Sequence, residues 1–304
     1  MSAISPRRLL LTGANGFVGQ HVLGAADGSF STHEIIPAPK GWDLRDADAV
    51  RECVDATRPD DVLHLAAQSF VPAAFKDPAT TLEINVIGTL NLLKALDESG
   101  FKGRMVYVSS ADVYGSVAED ALPVDERTPV NPRNPYAVSK LSAEELCLQW
   151  WRTFGTDIVI ARPFNHIGPG QDDRFVVPSM AKQVMEIKRG QRAPVLDVGD
   201  TGTSRDFTDV RDVVAAYALL LSAGRSGERF VIGSGIERSI DSILRRLCTI
   251  AGIEPVIRVD TTRFRPGDQK RMVANPAKLR AETGWKQAVP FEKTLQDILT
   301  NARK

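Results

Sequence analysis

The sequence predicts an α/β protein built on a doubly wound parallel sheet. Short apolar runs alternate with longer segments of helical spacing along the first half of the chain. That rhythm belongs to parallel strands joined by right-handed crossover helices. The runs "RLLLT" and "DIVIA" are apolar throughout rather than alternating, as strands are when helices cover both sheet faces.

In order, "RRLLLTG" reads as a buried strand ending in Gly, and "GFVGQHVLGAA" as a helix. "HEIIPA" is a strand, "DADAVRECVDA" a helix and "DDVLHLAA" a strand. "TTLEINVIGTLNLLKALDESG" reads as one long amphipathic helix stopped by Gly100. "GRMVYVSS" is a strand, "NPYAVSKLSAEELCLQWWRTFG" a second long helix, and "TDIVIARP" a strand. After Arg162 the rhythm breaks, because Pro163, Gly168, Pro169 and Gly170 crowd into eight residues. Short helices follow, "FVVPSMAKQVMEIKRG" and "SIDSILRRLCTIAG", separated by loops. "DVRDVVAAYALLLSAG" and "ERFVIG" look like a helix and a strand that return to the main sheet. The expected division is a main domain of residues 1–162 plus 208–233. A smaller, discontinuous one takes 163–207 plus 234–304.

A chain of 304 residues can bury a large core without staples. Lys+Arg and Asp+Glu both number 38, so no global field draws nucleic acid or an anionic membrane. Any anionic ligand needs a local basic cluster. The three cysteines (Cys53, Cys147, Cys248) are far apart, and no histidine pair has ligand spacing. That pattern argues against a disulfide frame or a metal site. "MSAISPRR" has no leader character, and no apolar run reaches the length of a membrane span. The expectation is a soluble, cytoplasmic protein without a metal.

"TGANGFVG" puts Gly13, Gly16 and Gly19 between the first strand and the first helix. Glycines there allow a tight turn and let a pyrophosphate approach the backbone. The spacing is GxxGxxG, and its strand–turn–helix context makes it a dinucleotide loop on a Rossmann-type sheet. A carboxylate after the second strand would bind a ribose 2′-hydroxyl and repel a 2′-phosphate. "EIIPAPKGWD" has no acid there, and Lys40 stands nearby. NADP(H) is therefore preferred, with NAD(H) still admissible.

"NPYAVSK" contains Tyr136 and Lys140, four apart and so on one helix face. Asn134 suits the N-cap and Pro135 the first helical position. A lysine ammonium and a helix N-terminus both favour phenolate. They should lower the phenol from its usual pKa of about 10. A unit charge at ~4 Å is worth about 4 kcal/mol at an effective dielectric near 20, before desolvation. Tyr136 would then exchange protons near neutral pH. YxxxK by itself also fits an ordinary surface helix. Ser110, however, ends a strand at the sheet's carboxyl edge, where ligands bind. Its hydroxyl can hold the same substrate oxygen.

These residues resemble the extended short-chain dehydrogenase/reductase family. The matching stretches are "TGANGFVG", "WDLRD", "HLAAQ", "INVIGTLNLLKA", "VSSADVYG", "PYAVSK", "RPFNHIGPGQ" and "SRDFTDVRDV", in family order over nearly the whole chain. Within the family the likeness is greatest to bacterial GDP-6-deoxy-D-mannose reductases, through "AAQSFVPAAFKDP", "RNPYAVSKL", "LCLQW" and "ARPFNHIGPGQ". The resemblance implies Ser110, Tyr136 and Lys140 as the catalytic trio. It implies Gly13, Gly16, Phe17, Val18 and Gly19 at the cofactor pyrophosphate, and Asp43 and Leu44 at the adenine. Leu65, Ala66 and Ala67 would line the ribose and nicotinamide path. Asn165 and Arg205 would meet the sugar nucleotide, and Arg265 and Asp268 its phosphates or ribose. The charge pattern adds to that last point. Arg263, Arg265, Lys270 and Arg271 cluster in a neutral chain, and a diphosphate needs cationic partners.

The implied substrate is GDP-4-keto-6-deoxy-D-mannose, reduced at C4 to a GDP-6-deoxyhexose, GDP-D-rhamnose on the family's usual face. Family dehydratases resemble this chain but carry Glu where Asp112 stands, or Asp where Ala111 stands. Asp is a methylene shorter, and a ~1 Å misplacement can cost on the order of a hundredfold in rate. Asp112 is therefore read as a local hydrogen-bonding or turn-capping carboxylate. The alternatives are a GDP-mannose 4,6-dehydratase, a nucleotide-sugar 4-epimerase holding NAD tightly, and a non-catalytic NADP sensor. The sensor is disfavoured because Tyr136 and Lys140 are both present. Helices over 81–98 and 135–153 are the expected homodimer surface, with adjacent Trp150 and Trp151 among its aromatics.

Overall fold

The computed structural model describes residues 5–263 and 269–302. The first strands are β1 (Arg7–Thr12), β2 (His33–Pro37), β3 (Asp61–His64), β4 (Arg104–Val108) and β5 (Asp157–Pro163). Between them lie α1 (Phe17–Leu23), α2 (Ala47–Thr57), α3 (Val71–Lys76), α4 (Pro78–Leu82), α5 (Gly88–Glu98) and α6 (Pro135–Phe154). Next come β6 (Asn165–Ile167), α7 (Val176–Lys188), β7 (Val195–Val198), β8 (Ser204–Asp209), α8 (Val210–Ala223) and β9 (Arg229–Ile232). The chain closes with β10 (Glu237–Ser239), α9 (Ile240–Ala251), β11 (Val256–Val259), β12 (Arg271–Met272), α10 (Ala277–Thr283) and α11 (Phe291–Asn301).

The main sheet is parallel, in the order β2-β1-β3-β4-β5-β9. The chain leaves β1 towards β2 and then returns to β3 on the other side. The crevice between β1 and β3 is therefore the topological switch point, where such sheets bind ligands. Register sets Thr12 beside His64 at its mouth. Side chains of each strand alternate between two cores. Leu9, Leu11, Leu63, Val106 and Val159 pack with α8 residues such as Val213 and Leu220. Leu10, Val62, Met105, Tyr107 and Ile160 pack with α2, α5 and α6 residues such as Val54, Leu92 and Cys147. Each large apolar side chain so buried contributes about 1.5–3 kcal/mol.

A third core gathers Val177, Met180 and Val184 of α7, Ile243, Leu244 and Leu247 of α9, and Leu295 and Ile298 of α11. Beside it β8 pairs with β6, β10 and β12, and β11 pairs with β7. Three aspartates of "RDFTDVRD" hold these pieces together. Asp206 accepts from the N–H groups of Ser234, Gly235 and Ala274. Asp209 accepts from Thr294 Oγ1 at 2.7 Å, and Asp212 from Ala288 N at 2.9 Å.

One element departs from the sequence expectation. The long helix expected over 81–98 is interrupted by a π-helical turn, Glu83–Ile87. Asn85 lies inside it, fully buried, with its side chain spanning to the Gln68 backbone (Gln68 N to Oδ1 2.8 Å, Nδ2 to Gln68 O 3.0 Å). A π turn inserts one residue into the helical ring, and Asn85 spends that offset on a bond to the loop after β3. Gly88 ends the turn where a Cβ would lie 2.6 Å from the Leu44 side chain.

Candidate active site

β1 delivers the glycine loop to the switch point. Gly13 has φ +73°, and a Cβ there would sit 2.7 Å from Ala66 N. A Cβ on Gly19 would strike Gly13 O at 2.3 Å. Gly16 is exposed at the tip, and its N–H bonds back to Gly13 O at 3.0 Å. Glycine is thus needed to close the turn, and the open tip is where a diphosphate can approach the backbone. The residues present fit a dinucleotide. Phe17 stacks on His166 with rings 6.2 Å apart and 4° from parallel, and His21 Nε2 lies 2.9 Å from Pro169 O. These contacts bring α1 against the β6 segment. Val18 packs against the core beside α8.

Leu65, Ala66 and Ala67 follow β3 and are half-buried against the glycine loop, with Ala66 N donating to Thr12 Oγ1 at 3.1 Å. Asp43 is ion-paired to Arg45 at 2.7 Å, which holds its carboxyl below the usual range. Leu44 is buried beneath Gly88. Lys40 is exposed just past β2, with Ala38 and Pro39 as the residues between.

Tyr136 enters on the first turn of α6. Asn134 caps that helix, its Oδ1 accepting from Ala137 N at 2.8 Å, and Pro135 takes the first position, as the sequence indicates. The phenol is buried beside Ser110 and Asp112. Its pKa is raised above the ordinary 10, by burial first and then by the Asp112 charge, while a hydrogen bond to Ser110 pulls it down. The expected lowering by Lys140 is therefore corrected. The Lys140 ammonium is spent elsewhere: it donates to Val108 O at 2.7 Å and sits 5.0 Å over the Tyr107 ring. Burial brings its pKa down to about 8. Tyr136 thus carries its proton at neutral pH.

Ser110 lies two residues past the end of β4 and caps the short turn Ala111–Tyr114, its Oγ accepting from Asp112 N at 3.1 Å. The cap expected of Asp112 is therefore Ser110's. Asp112 is exposed and accepts from Asn134 Nδ2 at 3.5 Å, the hydrogen-bonding role expected of it. Asn165 opens β6 and Arg205 lies on the neighbouring β8, where register sets Asn165 opposite Phe207. Arg205 donates to Ser204 O at 2.8 Å and Lys270 O at 3.2 Å. Arg265 and Asp268 lie outside the described residues.

Sequence reasoning assigned no role to Thr12, His64, Asn85, Thr89, Ser139 or Tyr107, yet all are buried around the trio. The available signal was polar residues at core-facing positions of "LHLAA", "INVIGT" and "YAVSK". Among the described residues no group of acids, histidines and cysteines is placed to hold a metal, and no helix is long and apolar enough to cross a membrane.

Comparison with known proteins agrees with this geometry. The sequence family described as GDP-mannose 4,6 dehydratase matches residues 39–298. A GDP-6-deoxy-D-mannose reductase of Pseudomonas aeruginosa is 47% identical over 97% of both chains. A dTDP-glucose 4,6-dehydratase of Streptomyces niveus is 32% identical over 93% of this chain and 89% of its own. The structure of RMD from Pseudomonas aeruginosa complexed with NADPH superposes with TM-score 0.93 and 46% identity, covering 97% of this chain and 98% of that one. A UDP-glucose 4-epimerase from Thermus thermophilus in complex with NAD gives TM-score 0.85 and 30% identity over 97% and 99%. The chain belongs to the extended short-chain dehydrogenase/reductase family of nucleotide-sugar enzymes.

Proposed function

We propose that this protein reduces the C4 ketone of GDP-4-keto-6-deoxy-D-mannose to the alcohol, giving GDP-D-rhamnose, with NADP(H) as cofactor. The observation that carries the reading is the meeting of Ser110, at the cap of the turn after β4, with the phenol of Tyr136 and with Lys140 on one face of α6, Lys140 being anchored on Val108 O at 2.7 Å. A reductase needs an acid at the ketone oxygen, and this phenol is one. The 47% identical reductase supports the substrate.

Gly13, Gly16, Phe17, Val18 and Gly19 would hold the cofactor diphosphate, Asp43 and Leu44 the adenine, and Leu65, Ala66 and Ala67 the ribose side. The stretch after β2 offers a 2′-phosphate no carboxylate to repel it and exposes Lys40. The cofactor would supply the hydride. Ser110 and Tyr136 grip the C4 oxygen from two sides, which fixes the carbonyl plane. Tyr136 gives its proton to the developing alkoxide. Lys140, whose ammonium donates to Val108 O and lies over the Tyr107 ring, would hold the nicotinamide ribose. Asn165 and Arg205, with Arg265 and Asp268, serve the sugar nucleotide. We assign residues 163–207 and 234–304 to the substrate-holding part. Ala111 has no acid to offer as a dehydratase base, and Asp112 is engaged with Asn134.

The working form is proposed as a homodimer through α4, α5 and α6. Leu82, Ile87 and Val138 are large apolar residues left exposed there. A cytoplasmic location is supported by the three cysteines, all buried and unpaired.

The test is NADPH oxidation with GDP-4-keto-6-deoxy-D-mannose, beside GDP-mannose alone. Oxidation with the keto-sugar only is expected, and Tyr136→Phe should lose most turnover while still binding NADPH. Conversion of GDP-mannose to the keto-sugar would make Asp112 a working base and the protein a dehydratase. Full activity in Tyr136→Phe would remove Tyr136 as the acid.

A further inference from the structure

We propose that His64 is a positioning residue: its imidazole, as one fixed neutral tautomer, ties the dinucleotide loop to the helix that carries Tyr136. The geometry leaves one assignment of protons. Thr89 Oγ1 donates to Asn85 O at 2.7 Å, which uses its only hydrogen. His64 Nε2, 3.1 Å from that oxygen, must therefore carry hydrogen and donate to it. Burial drives the His64 pKa down to about 3, so the ring is neutral and Nδ1 is bare. Nδ1 then accepts from Thr12 Oγ1 at 2.7 Å. Thr12 Oγ1 in turn accepts from Ala66 N at 3.1 Å.

The chain of bonds continues beyond Asn85. Its Nδ2 donates to Ser139 Oγ at 2.8 Å, and Ser139 Oγ donates to Tyr136 O at 2.7 Å. From Ala66 N to Tyr136 O every donor points the same way. Thr12, His64, Asn85, Thr89 and Ser139 are each at most 1% exposed. One end is Ala66 N bonded to Thr12, the residue before Gly13, and the other is the backbone of the catalytic tyrosine. Buried, fully satisfied networks of this kind fix a single arrangement, and a missing member leaves a costly unpaired group. His64 is the one member with a separate donor and acceptor on a rigid ring. Reversing its tautomer would set two hydrogens against each other at Thr12 and leave none between Nε2 and Thr89 Oγ1. It touches neither the substrate oxygen nor the hydride path, and it acts by fixing the distance between the loop and Tyr136.

The kinetic arm rests on the proposed reductase reaction, and the two other arms do not. In the full-length protein, 15N NMR of the imidazoles should show His64 with a protonated Nε2 and a bare Nδ1, unchanged from pH 5.5 to 8.5. The Nδ1–H tautomer, or a ring that titrates in that range, would overturn the proposal. Thr89→Val removes the hydroxyl at constant shape. NADPH binding, followed by fluorescence below the melting temperature, should weaken roughly tenfold, and kcat should fall about as much, as expected for a small misplacement. Thr89→Ser, which keeps the hydroxyl, should restore both to within about twofold of wild type. His64→Leu should be at least as impaired, and if it fails to fold the Thr89 pair decides. If Thr89→Val melts earlier but keeps wild-type NADPH affinity and kcat, the chain of bonds is merely structural and the proposal fails. If wild type does not reduce the keto-sugar while the binding and NMR results hold, the reductase reading fails and the tie through His64 stands.

Discussion

Lys140 shows how a residue can be placed where its motif puts it and still act differently from what spacing suggests. Four residues after Tyr136 on α6, it lies on the expected face. Burial then costs the ammonium its solvation, and the Val108 carbonyl and the Tyr107 ring are its compensation. The folded pKa of about 8 lies below the ordinary 10.5. Between those values the unfolded chain binds more protons than the folded one, so stability linked to this group rises with pH. It is lost as pH falls through 8. Denaturant unfolding of wild type minus Lys140→Met should therefore shift in favour of wild type by about 2 kcal/mol between pH 8 and 9.5. A difference that stays flat over pH 7–9.5 would mean that the ammonium is not depressed.

At the scale of elements, α6 is fastened to the sheet by a buried ionic knot. Arg162 of β5 donates to Glu144 of α6 at 2.5 and 3.0 Å and to Tyr114 Oη at 3.1 Å. Arg229 of β9 joins the same carboxylate at 2.5 Å. Tyr114 belongs to the turn that Ser110 caps, so the knot links the Ser110 corner to the Tyr136 helix. Breaking such a pair leaves a buried charge alone, at about 3–5 kcal/mol. Glu144→Leu should lose that much in urea unfolding. The Glu144→Leu/Arg162→Met double variant should lose clearly less than the sum of the two single variants, and additive losses would show no coupling. The helix itself was legible, since Asn134, Pro135 and Gly155 mark both its ends. The knot was not, because nothing local tells Arg162, in an apolar strand, that residue 144 faces it. The π turn at Glu83–Ile87 was equally hidden. A periodic apolar face continues across it, and only the Asn85 bond to Gln68, across 17 residues, reveals it.

At the scale of the molecule, the alternation of apolar runs and helices foretold the parallel sheet, because covering both faces is a constraint each strand carries by itself. The glycine loop and the Ser110–Tyr136 pairing were legible for a similar reason: each is a short motif at a strand end. The tie through His64 was not, since its members come from β1, β3, the π turn and α6 and meet only after folding. The same limit applies to association. Leu82 and Val138 lie together along a shallow groove of about 510 Å³. They are 38% and 41% exposed, with Ile87 at 47% on the neighbouring turn. Apolar residues of this size at the centre of a twofold contact would be met by their own copies. A charge placed there would meet itself, desolvated. Light scattering should therefore give wild type twice the 33.2 kDa chain mass. Val138→Glu should give the single chain, with its fold and its NADPH binding retained. A wild type that runs at one chain mass, or a Val138→Glu variant that still pairs, would move the contact away from α4, α5 and α6.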